Sequence, residues 1–153
     1  MIRHLLSFGG YTEGWATYCE AYSYSLESSD KNLSIIQKAN LTSTLCLYAK
    51  IDIGVNYYNW TKENVASFLK NYGIEGDEVV TQIYNSMISE PGNYCKYVLG
   101  YIGFCELKNT AQNSLGNKFD IKSFHKYILD LGPVQFDILF GRLDEWIKSE
   151  MEK

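Results

Sequence analysis

At about 100° per residue, Tyr11, Trp15, Tyr18 and Tyr22 line up as one apolar stripe, which predicts an amphipathic helix from about Thr12 to Leu26. Glu13, Thr17, Glu20 and Tyr24 fall on its opposite side. The polar run SSDKN then breaks the pattern, and a long helix follows from about Leu33 to Tyr58. Its second half, LCLYAKIDIGVNYY, is apolar nearly all round, which marks a helix enclosed by neighbours and makes Asp52 the odd residue within it. A third helix starts after Thr61 as N-cap, with Glu63 in its first turn, and stops at Gly73. A fourth begins at Asp77 and ends before Glu90-Pro91-Gly92, because the residue preceding a proline avoids the α region. The fifth runs from Asn93 to about Leu115, stopped by Gly116. Asp120 caps the sixth, whose buried face is Ile121, Phe124, Ile128 and Leu131. The last, about Gln135 to Met151, repeats the spacing with Ile138, Leu139, Leu143, Trp146 and Ile147. β-Alternation is missing throughout, so the expected fold is all-α, a compact array of about six or seven helices. No linker, repeat or low-complexity segment divides the chain, so residues 1–153 are expected to form a single helical domain.

Composition narrows the function classes. The 46% apolar and 21% charged content is that of an ordinary soluble globular protein, and 13 Tyr against 2 Pro suit packed helices rather than disordered linkers. A net charge of −4 offers no basic footprint for nucleic acid and no cationic face for an anionic membrane, so neither is an expected partner. Cys19, Cys46, Cys95 and Cys105 never approach C-x-x-C spacing. Reduced core thiols are the expectation, with a disulfide or a reactive thiol left open. The start MIRHLLSFGG has too short an apolar run for a signal peptide, and no stretch reaches spanning length, so a cytoplasmic location is expected for the chain as it stands. His4 and His125 are the only histidines, H-E-x-x-H is missing, and so are the G-x-S-x-G elbow, the P-loop and the dinucleotide fingerprint. On spacing alone, Glu13 and Glu20 read first as a solvated helix face and only second as a site.

Four stretches in order change that picture. EGWATYCE resembles the E-G-W-A-x-Y-x-E segment of a bacterial family catalogued as domain of unknown function 885, which looks like a branch of the gluzincin zinc metallopeptidases. DIGVNYYNWTKENVASFL is similar to the family's D-x-G-x-H followed by W-[ST]-x-E-x-A, and PGNYCKYVLGYIGFCELK to its P-G-Q-x-x-x-Y-x-x-G with a basic residue beyond. LGNKFDIKSFHKYILDLGPV is similar to L-G-x-x-F-[DN]-x-x-x-F-H. The likeness covers residues 11 to 134 but only the C-terminal portion of the family's domain.

The resemblance implies a zinc held by two histidines of an upstream H-E-x-x-x-H-like or H-E-x-x-H-like helix plus Glu13 as the third protein ligand, with the fourth position left for water. It implies that zinc lowers the pKa of that water while the upstream glutamate takes its proton. Tyr97 and His125, in the Y-x-x-G and F-H positions, are the implied catalytic candidates, as donors to a developing oxyanion or as holders of the substrate backbone. Both also read as packed core residues. For Glu20 the resemblance implies a place beside the metal ligands or lining the cleft, with a buried hydrogen-bonded structural role equally open, and Asp52 reads as a buried partner for a cation or a helix end. Asn56 replaces the family's usual histidine and cannot shuttle a proton, Asn93 replaces a glutamine, and Lys108 replaces an arginine and loses its planar fork. The chain is therefore expected to be part of a zinc metallopeptidase-like protein that acts on peptides, carrying one metal ligand and part of the cleft. By itself it is expected to bind no zinc tightly and to be inactive. The alternative is a stand-alone helical module that binds an N-terminal half or self-associates through a face left apolar.

Overall fold

Capping chemistry sets most of the helix limits. The computed structural model describes residues 6–26 and 30–152, and among these it holds seven α-helices and no strand. They are α1 (Gly9–Ser23), α2 (Lys31–Asn56), α3 (Lys62–Lys70), α4 (Asp77–Ser89), α5 (Asn93–Leu115), α6 (Ile121–Leu131) and α7 (Phe136–Met151). Short 3₁₀ turns, Tyr24–Leu26 and Gly116–Lys118, follow α1 and α5. The all-α expectation holds. Asp30 starts α2 by accepting from the backbone N–H groups of Asn32 at 2.9 Å and Leu33 at 3.1 Å, so the polar run that interrupts the apolar pattern contains the cap. Thr61 and Asn64 form a reciprocal capping box at α3, and Asp120 accepts from Ser123 N at 2.7 Å to start α6.

The described residues form two compact units. One combines those through Tyr22 with those from Leu99 onward, and the other is Ser23–Val98. The division on the C-terminal side falls inside α5, where no linker composition marks it.

The first unit is built on Phe104 and Leu107 of α5, Phe124 and Ile128 of α6, and Leu139 and Leu143 of α7, all fully buried or nearly so. On α7 the stripe is Leu139, Leu143 and Ile147. Ile138 was expected on it but is 48% exposed, because it lies one residue, about 100°, off a narrow i, i+4 stripe. Helix α1 crosses α5 with almost no separation. A Cβ on Gly14 would overlap the Cα and carbonyl carbon of Gly100, and a Cβ on Gly100 would come within 2.6 Å of Gly14 Cα.

In the second unit, Ile51 and Val55 of α2 pack with Val65 and Leu69 of α3 and with Ile83 and Met87 of α4. The second half of α2 buries Ala49, Ile51, Asp52, Gly54 and Val55, but Cys46, Lys50 and Ile53 form an exposed stripe, so it is not enclosed all round as expected, and Tyr57 and Tyr58 just beyond it are exposed too. The first half is left open, with Leu33, Ile35 and Ile36 at 49%, 66% and 63% exposure.

Candidate functional site

Glu13 sits half-buried on α1 between Thr12, which is exposed, and Gly14, which is buried at the crossing. Its carboxylate makes no hydrogen bond or ion pair with another described residue. Thr17, one turn along the same side, is 4% exposed and donates its hydroxyl to the Glu13 carbonyl at 2.8 Å. That side is therefore not a simply solvated face, even though Ala16 and Glu20 are exposed. The small residue that lets α1 approach a neighbour closely is Gly14, and the neighbour is α5.

His125 meets α1 on the other side. Its Nε2 lies 2.9 Å from the Tyr18 hydroxyl. Its ring stands almost perpendicular to those of Trp15, Tyr18 and Tyr22, with centroids 5.5, 5.6 and 5.4 Å away. Those three residues are about 140 to 180° around the helix from Glu13, so the structure does not bring Glu13 and His125 together. Burial, and then the charge of Lys108, hold the His125 pKa below its ordinary value of 6.5. Burial above all, with smaller effects from Cys105, Tyr22, Cys19 and Tyr101, pushes the Tyr18 hydroxyl well above 10.0. Nothing in the apolar stripe marks Tyr18 as a polar partner, so the sequence alone did not reveal this pairing.

The D-x-G-x-N stretch forms a structural hub in the second unit. Asp52, 1% exposed, accepts through Oδ1 from the Gly92 N–H at 2.8 Å and the Asn56 amide at 2.9 Å, and through Oδ2 from the Tyr94 N–H at 3.1 Å. Its partner is thus a helix end, the N-terminus of α5, where a carboxylate satisfies orphan N–H groups and suits the dipole. The Asn56 amide also donates to the Met87 carbonyl at 3.0 Å, which ties in α4. Gly54 is small because the Trp60 indole lies against it. Tyr97 is half-buried on the turn of α5 that Asp52 anchors, its ring centroid 6.5 Å from that of Tyr94. It belongs to the second unit, and Glu13 and His125 to the first.

All four cysteines are free. Burial raises the thiol pKa of Cys19 and Cys95, and Asp52 adds to the rise at Cys95, so neither is poised as a nucleophile. His4 lies outside the described residues. Among the described residues no three His, Cys, Asp or Glu side chains come together around one point.

Comparison places this arrangement among known proteins. Curated proteins give no match. A solved structure described as "the putative lipoprotein from Colwellia psychrerythraea" is similar at 29% identity with a TM-score of 0.77, over 97% of this chain and 26% of that one. The chain thus spans about a quarter of that protein's length. None of the described helices is long and apolar enough to cross a membrane. Residues 1–143 match the bacterial proteins of unknown function DUF885, and the chain belongs to that family.

Proposed function

We propose that this chain is the part of a zinc metallopeptidase-like protein that supplies one metal ligand, Glu13, and part of a peptide-binding cleft near Tyr97, and that it is inactive without the remaining ligands. The observation that carries this reading is the state of Glu13. A carboxylate partly withdrawn from water is costly to leave without a counter-charge, and Glu13 has none among the described residues. A cation held jointly with groups outside these residues would supply that charge. Helix α1 is fixed from behind by the Gly14–Gly100 crossing and the Tyr18–His125 bond, so the carboxylate is presented by a rigid element. In this reading His125 acts through Tyr18 as a positioning residue and does not touch substrate. Asp52 and Asn56 do the same for the helix that carries Tyr97. The description of the relative as a lipoprotein favours an exported parent over a cytoplasmic one.

The test is zinc affinity and peptide hydrolysis in a complete protein of this family containing the present sequence. Glu13→Ala should weaken zinc more than about 100-fold, since losing an outer-shell partner alone costs up to about that much. Unchanged zinc affinity would remove the reading. A second reading, self-association or docking of an N-terminal half, is favoured by the exposed Leu33, Ile35 and Ile36 of α2. Light scattering across a concentration series checks it, and a strict monomer counts against self-association.

A further inference from the structure

The proposed function gives the His125 imidazole no chemistry of its own, yet its surroundings are specific. Projecting from α6, it lies against Trp15, Tyr18 and Tyr22 of α1 at interplanar angles of 89°, 87° and 89°, with Phe124 of its own helix 5.9 Å away. The hydroxyl it bonds belongs to a tyrosine only 3% exposed, so water is a poor substitute partner. The groups near that hydroxyl are Cys19 and Tyr22 from α1, and Tyr101 and Cys105 from α5. The charge acting on His125 from α5 is Lys108, and Lys122 and Lys126 lie exposed within one turn along α6 itself.

The buried Tyr18 hydroxyl has no other hydrogen-bond partner among the described residues, so its O–H is satisfied only by donating to Nε2, and that assigns the proton of the neutral imidazole to Nδ1. Adding a second proton turns Nε2 into a donor. The Tyr18 O–H then loses its acceptor, and a positive charge appears among apolar rings close to Lys108. Ring faces attract a cation and offset part of this. Burial and Lys108 prevail, since together they keep the imidazole less basic than usual.

We propose that the His125–Tyr18 pair is a pH-operated latch of α6 on α1, closed while the imidazole is neutral and open once it is charged. The opening is local. Ile128 remains in the core, and its carbonyl still accepts from the Tyr11 hydroxyl at 2.9 Å, a bond indifferent to acid. Release is therefore confined to the first turns of α6 and to the Trp15 and Tyr22 rings that the imidazole covers.

The experiment uses the 153-residue chain. The His125 imidazole is titrated by NMR between about pH 4.5 and about 7.5, with His4→Gln identifying its signal. Amide exchange of residues 121–127 is followed in parallel and corrected for its intrinsic pH dependence. The expected result is a His125 midpoint below 6.5, with amide protection falling on the order of tenfold at that same midpoint. His125→Gln, whose side-chain oxygen can still accept from Tyr18 and does not titrate, should hold protection flat. Lys108→Gln should move the imidazole midpoint and the loss of protection upward together, and it carries the test if His125→Gln does not fold. Protection that stays constant while His125 titrates, or that falls unchanged in His125→Gln, would overturn the latch, as would a midpoint shift in Lys108→Gln that protection does not follow.

Discussion

Adding one methyl group at Gly14 tests the crossing on which the first unit depends. The Cβ of Gly14→Ala would overlap the Cα and carbonyl carbon of Gly100 and lie 2.9 Å from its carbonyl oxygen. All three atoms are backbone, so no side chain can rotate away, and the helices themselves must part. Overpacking costs about 1–3 kcal/mol, and a backbone-on-backbone clash belongs at the upper end. Alanine returns about 1 kcal/mol over glycine inside a helix. The net expectation is a loss of about 2 kcal/mol, which moves a urea midpoint by about 1 M at a slope of about 2 kcal/mol per M. Two further glycines calibrate the measurement. Gly141 on α7 has nothing within 4 Å of its would-be Cβ, so Gly141→Ala should stabilise by about 0.5–1 kcal/mol. At Gly103 the obstacle is the Phe136 ring, a side chain able to shift, so Gly103→Ala should fall between the other two. Urea unfolding followed by circular dichroism gives the order. A Gly14→Ala protein as stable as the parent, or one ranked above Gly103→Ala, would mean that the close crossing is not what holds α1.

Two other substitutions probe polar groups. Asp52→Asn places an amide donor among N–H groups that now share a carboxylate, leaving at least one of Gly92 N and Tyr94 N without an acceptor. It should cost about 1–3 kcal/mol in chemical denaturation, and a neutral result would remove Asp52 as the cap of α5. The Tyr127 hydroxyl is buried with no hydrogen-bond partner among the described residues. Tyr127→Phe should therefore be neutral or stabilising by about 1 kcal/mol. Burial, and then Glu145, push that hydroxyl from 10.0 up to about 12, against a smaller lowering by Arg142. A raised folded value means that its contribution is intact below pH 10.0 and lost as pH climbs through about 12. Thermal melts across that window should fall less steeply for Tyr127→Phe, and identical slopes would contradict the assignment.

Most of what was legible in the sequence is local. Thr61 and Asp120 announce α3 and α6 because a cap and the N–H it serves lie within three residues of each other. Pro91 and Gly116 stop their helices for reasons written in one or two positions. The start of α1 at Gly9 was hidden, because Gly9 and Gly10 read as breakers, and the residue that must stay small against the Gly10 carbonyl is Gly100, 90 positions away. Asp52 shows the limit well. Its bond to Asn56 is an i, i+4 pair on one helix face, recoverable by counting. Its bonds to Gly92 and Tyr94 span 40 and 42 residues, and no local pattern specifies them. Tyr18 and His125, 107 residues apart, are of the same kind. The division into two units left no compositional mark either, because it runs through the middle of α5.

The same separation of near from far gives the residues of EGWATYCE different duties. A helix that offers a carboxylate to an ion needs that side chain on one face and an immovable backing on the other, and the motif divides these duties by angle. Gly14 and Tyr18 lie about 100° and about 140° around the helix from Glu13, and they serve the backing, one by having no side chain and the other through its bond to His125. Glu13 itself contributes nothing to that backing among the described residues. Glu13→Ala should accordingly cost no stability, and should raise it by up to about 1 kcal/mol by removing a half-buried carboxylate that has no counter-charge, whereas Gly14→Ala should lower it. That outcome is what the proposed metal-ligand role requires, and a clear loss of stability in Glu13→Ala would make Glu13 part of the backing instead.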